Sequence, residues 1–151
     1  MTLEIRRAEA ADALDLHQFG LTIPELKVSS QVEFMTLEEM REAVSQTGGM
    51  LFLAELDGSL VGFIFALVGD LDRLPNATQA CLVYLAVAPE CRRQGIAQGL
   101  YDHLREEFKE RGIVYVYAWA CPTSGVVDFM RRQGWNPGRS CLWLDKQLPG
   151  V

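Results

Sequence analysis

The segment VYLAVAPECRRQGIA, residues 83–97, decides the fold because it passes from a strand to a helix within a few residues. The apolar run Ala80–Ala88 is typical of a buried strand, and Pro89 ends it. A helix is predicted from the end of this segment to about Arg111, because apolar residues recur there every four positions. Its predicted buried stripe consists of Ile96, Leu100, Leu104 and Phe108.

The turn between this strand and this helix has the properties of a phosphate-binding site. The first N–H groups of a helix lack partners within it, and the helix dipole favours negative charge there. Gly95 has no Cβ, so a ligand can approach the backbone closely, and Arg92 and Arg93 add cationic donors. Neither of the common nucleotide-binding glycine motifs occurs. The residues alone leave one alternative open, an ordinary helix start with two surface arginines.

Upstream of this segment, the sequence predicts a strand, two helices and a hairpin. Thr36 and Glu39 form a capping box, so a helix begins there and ends near Gln46. Asp57-Gly58 between two apolar runs predicts a β-hairpin. The other predicted elements are a strand at Leu3–Arg7, a helix at Ala11–Phe19, and the hairpin strands Met50–Leu56 and Leu60–Val68.

Downstream, the β-branched and aromatic run Ile113–Trp119 predicts a strand. A short helix follows to Arg132, and Thr123 or Ser124 is its N-cap. Cys141–Leu144 is predicted as the last strand.

The resulting element order is β-α-α-β-β-β-α-β-α-β, and no internal linker interrupts it. This order predicts an α/β protein of the α+β type, with a mixed, mostly antiparallel sheet flanked by helices. We expect one domain over residues 1–151.

The composition excludes several classes of protein. Lysine and arginine number 14 against 20 aspartate and glutamate, so the net charge is −6, which argues against a nucleic-acid-binding protein. No apolar run approaches the roughly 20 residues of a membrane span, and the N-terminus has no secretory signal pattern. The four cysteines form no C-x-x-C pair. Their spacing argues against a metal site and predicts reduced thiols in the cytoplasm.

The motif RRQGIA, residues 92–97, resembles the R/Q-x-x-G-x-G/A signature of the GNAT superfamily of acyl-CoA-dependent N-acetyltransferases. LAVAP, residues 85–89, is similar to the strand that precedes this signature in the family. FMRRQGW, residues 129–135, resembles the family's second conserved block. The resemblance implies the acyl-CoA N-acyltransferase fold, acetyl-CoA as co-substrate and no metal.

The resemblance also implies which residues hold acetyl-CoA. Backbone N–H groups of Arg93 through Ala97 would bind the pyrophosphate. Leu85, Ala86 and Val87 would pair with the pantetheine arm, where two strands splay apart. Val87 N–H would donate to the thioester carbonyl, and Thr123 would contact the pantetheine or serve only as a helix cap. The full cofactor-binding set is Leu85, Ala86, Val87, Arg92, Arg93, Gln94, Gly95, Ile96, Ala97 and Thr123.

The sequence departs from the family in the groups that handle protons. Residues 81–85 contain no carboxylate, so Tyr84 is the titratable oxygen there. The family's frequent tyrosine acid falls on Met130, whose thioether cannot donate a proton. The predicted catalytic groups are therefore Tyr84, Tyr117 on the strand beside the thioester, and the Val87 backbone.

Weaker candidates exist for the same roles. Asp70, Asp72 and Glu25 are loop acids that could reach an amine. Cys121 could carry an acyl group, although a buried, inert thiol is the simpler interpretation. His17 and His103 are expected on helix surfaces.

Together these observations predict transfer of an acetyl group from acetyl-CoA to a primary amine, on a small molecule or a protein, by direct attack. The alternative is a non-catalytic acyl-CoA-binding regulatory module that keeps the loop. The expected partner is the amine acceptor, with no nucleic acid and no membrane, and a homodimer is left open.

Overall fold

The computed structural model describes residues 2–46, 49–69, 78–122 and 124–150. Within these ranges the strands are β1 (Leu3–Arg7), β2 (Gly49–Leu56), β3 (Ser59–Val68), β4 (Gln79–Val87) and β5 (Tyr115–Ala118). The α-helices are α1 (Ala13–Leu21), α2 (Leu37–Ser45), α3 (Ile96–Glu110) and α4 (Gly125–Arg132). Short 3₁₀ turns lie at Ala10–Asp12, Pro24–Leu26 and Pro89–Cys91. None of the helices in the described ranges is long and apolar enough to cross a membrane.

The sheet has the strand order β1-β2-β3-β4-β5. The first four strands are antiparallel neighbours, and β5 joins β4 in parallel after the crossover through α3. The predicted mixed, mostly antiparallel sheet is therefore confirmed. Helices cover both faces, so the sheet separates two apolar clusters.

Local sequence signals explain the starts and turns of several elements. Thr36 Oγ1 accepts from Glu39 N–H at 3.1 Å, and Glu39 Oε1 accepts from Thr36 N–H at 3.0 Å, which is the predicted capping box of α2. In the β2–β3 turn both Asp57 (φ 51°) and Gly58 (φ 85°) are left-handed, as a type I′ hairpin requires. The first helix begins with the 3₁₀ turn, and β5 is shorter than the predicted Ile113–Trp119.

The predicted last strand, Cys141–Leu144, is wrong. Residues 135–150 have no regular secondary structure, and every residue of the C-terminal segment, which we define as residues 136–150, is exposed. A short apolar run forms a strand only where a neighbouring strand offers main-chain partners. Within one copy of the described chain, the segment has no such neighbour.

Helix α4 is fixed to α3 by polar contacts as well as by apolar ones. Gln98 of α3 and Gln133, just after α4, exchange two amide hydrogen bonds of 3.3 and 2.7 Å. Trp135 Nε1 donates to the Tyr101 hydroxyl of α3 at 2.9 Å. Met130 of α4 is buried in the cluster beneath. These contacts hold α4 beside the helix that follows β4.

Replacing Gly20 of α1 by alanine should destabilise the protein. A Cβ at Gly20 would overlap the ring of Phe34, which is buried against Phe63 and Tyr84 at ring-centroid distances of 6.2 and 5.1 Å. We expect a loss of about 1–3 kcal/mol, as for other overpacked cores, measured as the free energy of unfolding in urea.

The matched control is Gly125→Ala in the first turn of α4, where a Cβ meets nothing within 4 Å. Alanine there should leave stability unchanged or raise it by up to about 1 kcal/mol. Equal changes in the free energy of unfolding for the two substitutions would contradict the packing of Phe34 on Gly20.

Candidate functional site

Strand β4 is paired on both sides only along its first half. Its pairing with β5 runs from Gln79 opposite Tyr115 to Leu82 opposite Ala118 and then stops. On the other side, pairing with β3 continues to Val87, across an irregularity that leaves Val83 as an extra, bulged residue. A bulge bends a strand and increases its twist. Beyond Leu82, where β5 also ends at Ala118, the edge of β4 that faces away from β3 has no strand partner among the described residues, and we call the space along this edge the opening.

The register determines which main-chain groups face the opening. Ala88 N–H donates to Val61 O at 2.8 Å, and hydrogen-bonded and non-hydrogen-bonded pairs alternate along an antiparallel ladder. Leu85 and Val87 therefore direct their main-chain groups away from β3, towards the opening. The main-chain groups of Ala86 face β3, where it lies opposite Phe63.

The turn after β4 presents a row of backbone donors. Arg93 (φ 64°) and Gly95 (φ 80°) are both left-handed, and α3 starts directly after them. Within the described chain, the N–H groups of residues 93–98 form no hydrogen bond, and the first helix-entry bond runs from Gly99 N–H to Gly95 O at 3.0 Å. Unpaired N–H groups at the start of a helix form an anion-binding site.

Glycine at position 95 is required by its conformation. Its Cβ would meet open space, so the glycine does not serve close packing against another part of the protein. A left-handed φ costs an ordinary residue roughly 1–2 kcal/mol and costs glycine little. Gly95 therefore sets the path of the loop.

The two arginines of the loop have different surroundings. Arg92 Nε donates to Val87 O at 3.1 Å, and its Nη1 lies 3.1 Å from Glu25 Oε1. Arg92 thus ties the loop to β4 and to the chain that follows α1. No hydrogen bond or ion pair from the Arg93 guanidinium to any described residue is formed. Arg93 is exposed beside the row of N–H groups.

Glu25 is a poor proton acceptor in this arrangement. The hydrogen bond from Arg92 lowers the pKa of the Glu25 carboxyl below its ordinary value. No local sequence signal marks this pair, because 67 positions separate the two residues. Asp70 and Asp72, the other loop acids considered, lie outside the described residues, as does Thr123.

Tyr84 lies on the face of β4 that packs under α1 and α2. Its ring is 5.1 Å from that of Phe34 and 6.3 Å from that of Phe63. Burial raises the pKa of the Tyr84 hydroxyl, and the charge of Glu39 raises it further. The phenol is protonated at neutral pH, so it can donate a hydrogen bond and is a poor base. The sequence predicts Glu39 only as a capping residue of α2 and does not predict this effect on Tyr84.

Tyr117 lies on β5 opposite Cys81, one pair before the opening begins. Its hydroxyl hydrogen-bonds to the Cys81 thiol, and its ring stacks on that of Tyr115 at 6.3 Å. Burial raises the pKa of Cys81 to about 11, although the Tyr117 hydrogen bond opposes the shift. Cys81 is therefore a thiol at neutral pH.

The remaining candidates are placed as follows. Met130, at the position of the family's tyrosine acid, is buried in the apolar cluster that contains the buried side chains of α3. Cys121 is exposed, so the expectation of a buried thiol is wrong. His103 is on the surface of α3, as expected, whereas His17 is half-buried and stacks on Phe34 at 6.2 Å. In the described ranges no three His, Cys, Asp or Glu side chains are grouped so that they could hold a metal ion.

Solved structures with the same fold include several acetyltransferases. One is an aminoglycoside acetyltransferase from an uncultured soil metagenomic sample, in complex with sisomicin, with 21% identity, 97% of each chain covered and a TM-score of 0.72. Another is the PaiA N-acetyltransferase from Thermoplasma acidophilum in complex with coenzyme A, with 19% identity, 89% of each chain covered and a TM-score of 0.69. A third is an aminoglycoside 6'-N-acetyltransferase from Acinetobacter baumannii, with 19% identity, 98% of this chain and 100% of that chain covered, and a TM-score of 0.72.

Among curated protein sequences, none matches this chain significantly. The model of the acetyltransferase (GNAT) family matches residues 14–135, a range that includes the opening, the donor row and α4. The chain therefore belongs to the GNAT family of acetyltransferases.

Proposed function

We propose that this protein, as one domain, transfers the acetyl group of acetyl-CoA to a primary amine of a small molecule or a protein. The observation that carries the proposal is the row of unpaired N–H groups at residues 93–98, which begins where the open edge of β4 ends. A strand edge followed by an anion site matches a ligand with an amide-containing arm and a pyrophosphate. The family's activity is consistent with this ligand.

In this proposal the N–H groups from Arg93 to Ala97 bind the pyrophosphate, and the Arg93 guanidinium adds charge. Leu85 pairs with the pantetheine arm, because its main-chain groups face the opening. Val87 O accepts from Arg92 Nε, and the Val87 N–H is the group left for the thioester carbonyl. Thr123 is a further proposed contact of that arm. Arg92 acts by holding the loop through Val87 O and Glu25.

The proposed reaction is direct transfer. The neutral amine nitrogen attacks the thioester carbon, the C–N bond forms, and the C–S bond breaks. Val87 N–H donates to the carbonyl oxygen as negative charge develops there. The leaving thiol has an ordinary pKa of roughly 8.5, so it departs as thiolate and then takes a proton from the product ammonium through solvent. We propose Tyr84 and Tyr117 as hydrogen-bond donors that orient the reactants.

The acceptor proposed first is a cationic small molecule with several amines. The net charge of −6 favours such an acceptor, and one structure with the same fold is a complex with sisomicin. We also propose a cytoplasmic location, which the four free thiols support.

Incubation with acetyl-CoA and a panel of aminoglycosides, polyamines and lysine peptides should release free CoA thiol with at least one acceptor. The measurement is thiol release together with the mass of the acetylated product. Thermal stabilisation by acetyl-CoA without turnover on any acceptor would support the binding-module alternative instead. No stabilisation by acetyl-CoA would contradict both functions.

Gly95→Ala should weaken CoA binding about tenfold or more, because strain of roughly 1–2 kcal/mol would displace the donor row. Isothermal titration with CoA measures the dissociation constant. The matched control is Gly58→Ala in the β2–β3 turn, where φ is also left-handed (85°) and a Cβ also meets open space. Both variants should lose similar stability, and only Gly95→Ala should lose affinity. If Gly95→Ala bound CoA as tightly as Gly58→Ala, the pyrophosphate would bind elsewhere.

Cys121→Ser should retain turnover, because direct transfer needs no acyl-enzyme. Intact mass spectrometry of the wild-type protein with acetyl-CoA alone should show no acetyl adduct. In the folded protein, iodoacetamide should modify the exposed Cys121 and Cys141 first and the buried Cys81 and Cys91 only after unfolding. Suppose that the wild-type protein shows an acetyl adduct and that Cys121→Ser loses both the adduct and turnover. The mechanism would then be covalent and not direct transfer.

A further inference from the structure

Two acids of the chain segments that flank the site differ in their partners. Glu25 is paired with Arg92. Glu39, in the first turn of α2, is paired with no lysine or arginine of the described chain. Its Oε1 accepts from Thr36 N–H at 3.0 Å, and its Oε2 accepts from no described group. Exposed carboxylates are common on protein surfaces, and the neighbouring Tyr84 distinguishes this one.

The residues around the α2 cap hold Glu39 next to Tyr84. Phe34, two residues before Thr36, places its ring 5.1 Å from that of Tyr84. Met40, the residue after Glu39, is buried in the apolar cluster against which Tyr84 packs. The exposed carboxylate therefore lies at the rim of this cluster. Its charge reaches the Tyr84 hydroxyl and raises the pKa of that group.

The Tyr84 hydroxyl forms no hydrogen bond with any described residue. Among these residues, no side-chain oxygen or nitrogen is both sealed from solvent and without a partner. The phenol oxygen of this half-buried side chain is therefore open to solvent. The Tyr117 hydroxyl, in contrast, is hydrogen-bonded to the Cys81 thiol. Tyr84 and Glu39 together offer two oxygens to the N–H donors of one ammonium group.

We propose that Glu39 and Tyr84 bind a second, non-reacting ammonium group of the acceptor, so that the protein selects diamines and polyamines over monoamines. This ammonium donates one hydrogen bond to the Glu39 carboxylate and another to the Tyr84 phenol oxygen. The reacting amine is the other end of the same molecule. The inference rests on the proposed acetyl transfer and deepens it by naming the class of acceptor and the residues that select it.

The position of Tyr84 along β4 sets the spacing of the two nitrogens. Tyr84 and Val87 are three residues apart, roughly 10 Å at the rise of a strand. Val87 N–H is the proposed donor to the thioester carbonyl, so the reacting nitrogen lies at that end. An acceptor therefore needs several carbon atoms between its amines. The probe 1,5-diaminopentane has such a spacer, and 1,2-diaminoethane does not.

Isothermal titration with 1,5-diaminopentane and with pentylamine, with and without CoA, tests the site without requiring turnover. The two probes have the same carbon chain and differ by one ammonium group. The wild-type protein should bind the diamine about tenfold more tightly, as expected for one charge-assisted pair. In Glu39→Gln the two dissociation constants should agree within about twofold. Glutamine keeps the capping box, so circular dichroism should show unchanged folding.

Glu38→Gln is the matched control, because Glu38 is the neighbouring acid in the same turn of α2. It changes the net charge and the helix N-terminus in the same way, and it should keep the tenfold preference. Tyr84→Phe keeps the ring against Phe34 and should reduce the preference about threefold. In turnover assays, Glu39→Gln should raise the KM for 1,5-diaminopentane about tenfold, and Glu38→Gln should not.

Equal binding of the two probes by the wild-type protein would overturn the proposal. So would an unchanged preference in Glu39→Gln, or an equal loss of preference in Glu38→Gln. Loss of the preference in Glu25→Gln alone would place the second ammonium at that acid and would also overturn it. Failure of the proposed acetyl transfer has a different signature. No amine would then release thiol from acetyl-CoA, although the preference for the diamine still depended on Glu39.

Discussion

The end of β5 at Ala118, opposite Leu82 of β4, is the constraint on which the site depends. A parallel strand paired along all of β4 would satisfy the main-chain groups of Leu85 and the N–H of Val87, and no edge would face a ligand. The bulge at Val83 places two successive side chains, Val83 and Tyr84, in the same apolar cluster. Strand β4 therefore bends at the point where β5 ends. The donor row at residues 93–98 follows in the same segment of the chain.

The charges around this segment favour binding of an anion, but they leave no side chain that is a good base for proton transfer. Arg92 is held by protein groups, and its contact with Glu25 lowers the pKa of that carboxyl. Tyr84 is protonated because burial and Glu39 raise the pKa of its hydroxyl. A site with these groups relies on orienting its reactants and on backbone donors more than on a side-chain base.

Features that depend on neighbouring residues could be predicted from the sequence, whereas those that depend on distant pairs could not. The Thr36–Glu39 capping box and the Asp57-Gly58 turn are local, and the structure has both. The succession of a strand, a glycine and a helix start predicts the donor row. The pairing of Arg92 with Glu25 has no local signal. Cys141–Leu144 has the pattern of a strand, but a pattern does not specify whether a partner strand is present.

The amide pair between Gln98 and Gln133 has a consequence for the range of conditions in which the site keeps its shape. Both side chains are uncharged, so acid and salt act on this joint between α3 and the end of α4 only through Asp102, whose Oδ1 accepts from Gln98 Nε2 at 2.9 Å. The Arg92–Glu25 contact is exposed and ionic, and its strength falls with acidity and ionic strength. Changes of medium therefore act more strongly on the loop beside the opening, which an ion pair holds, than on the two helices, which are joined mainly by uncharged amides.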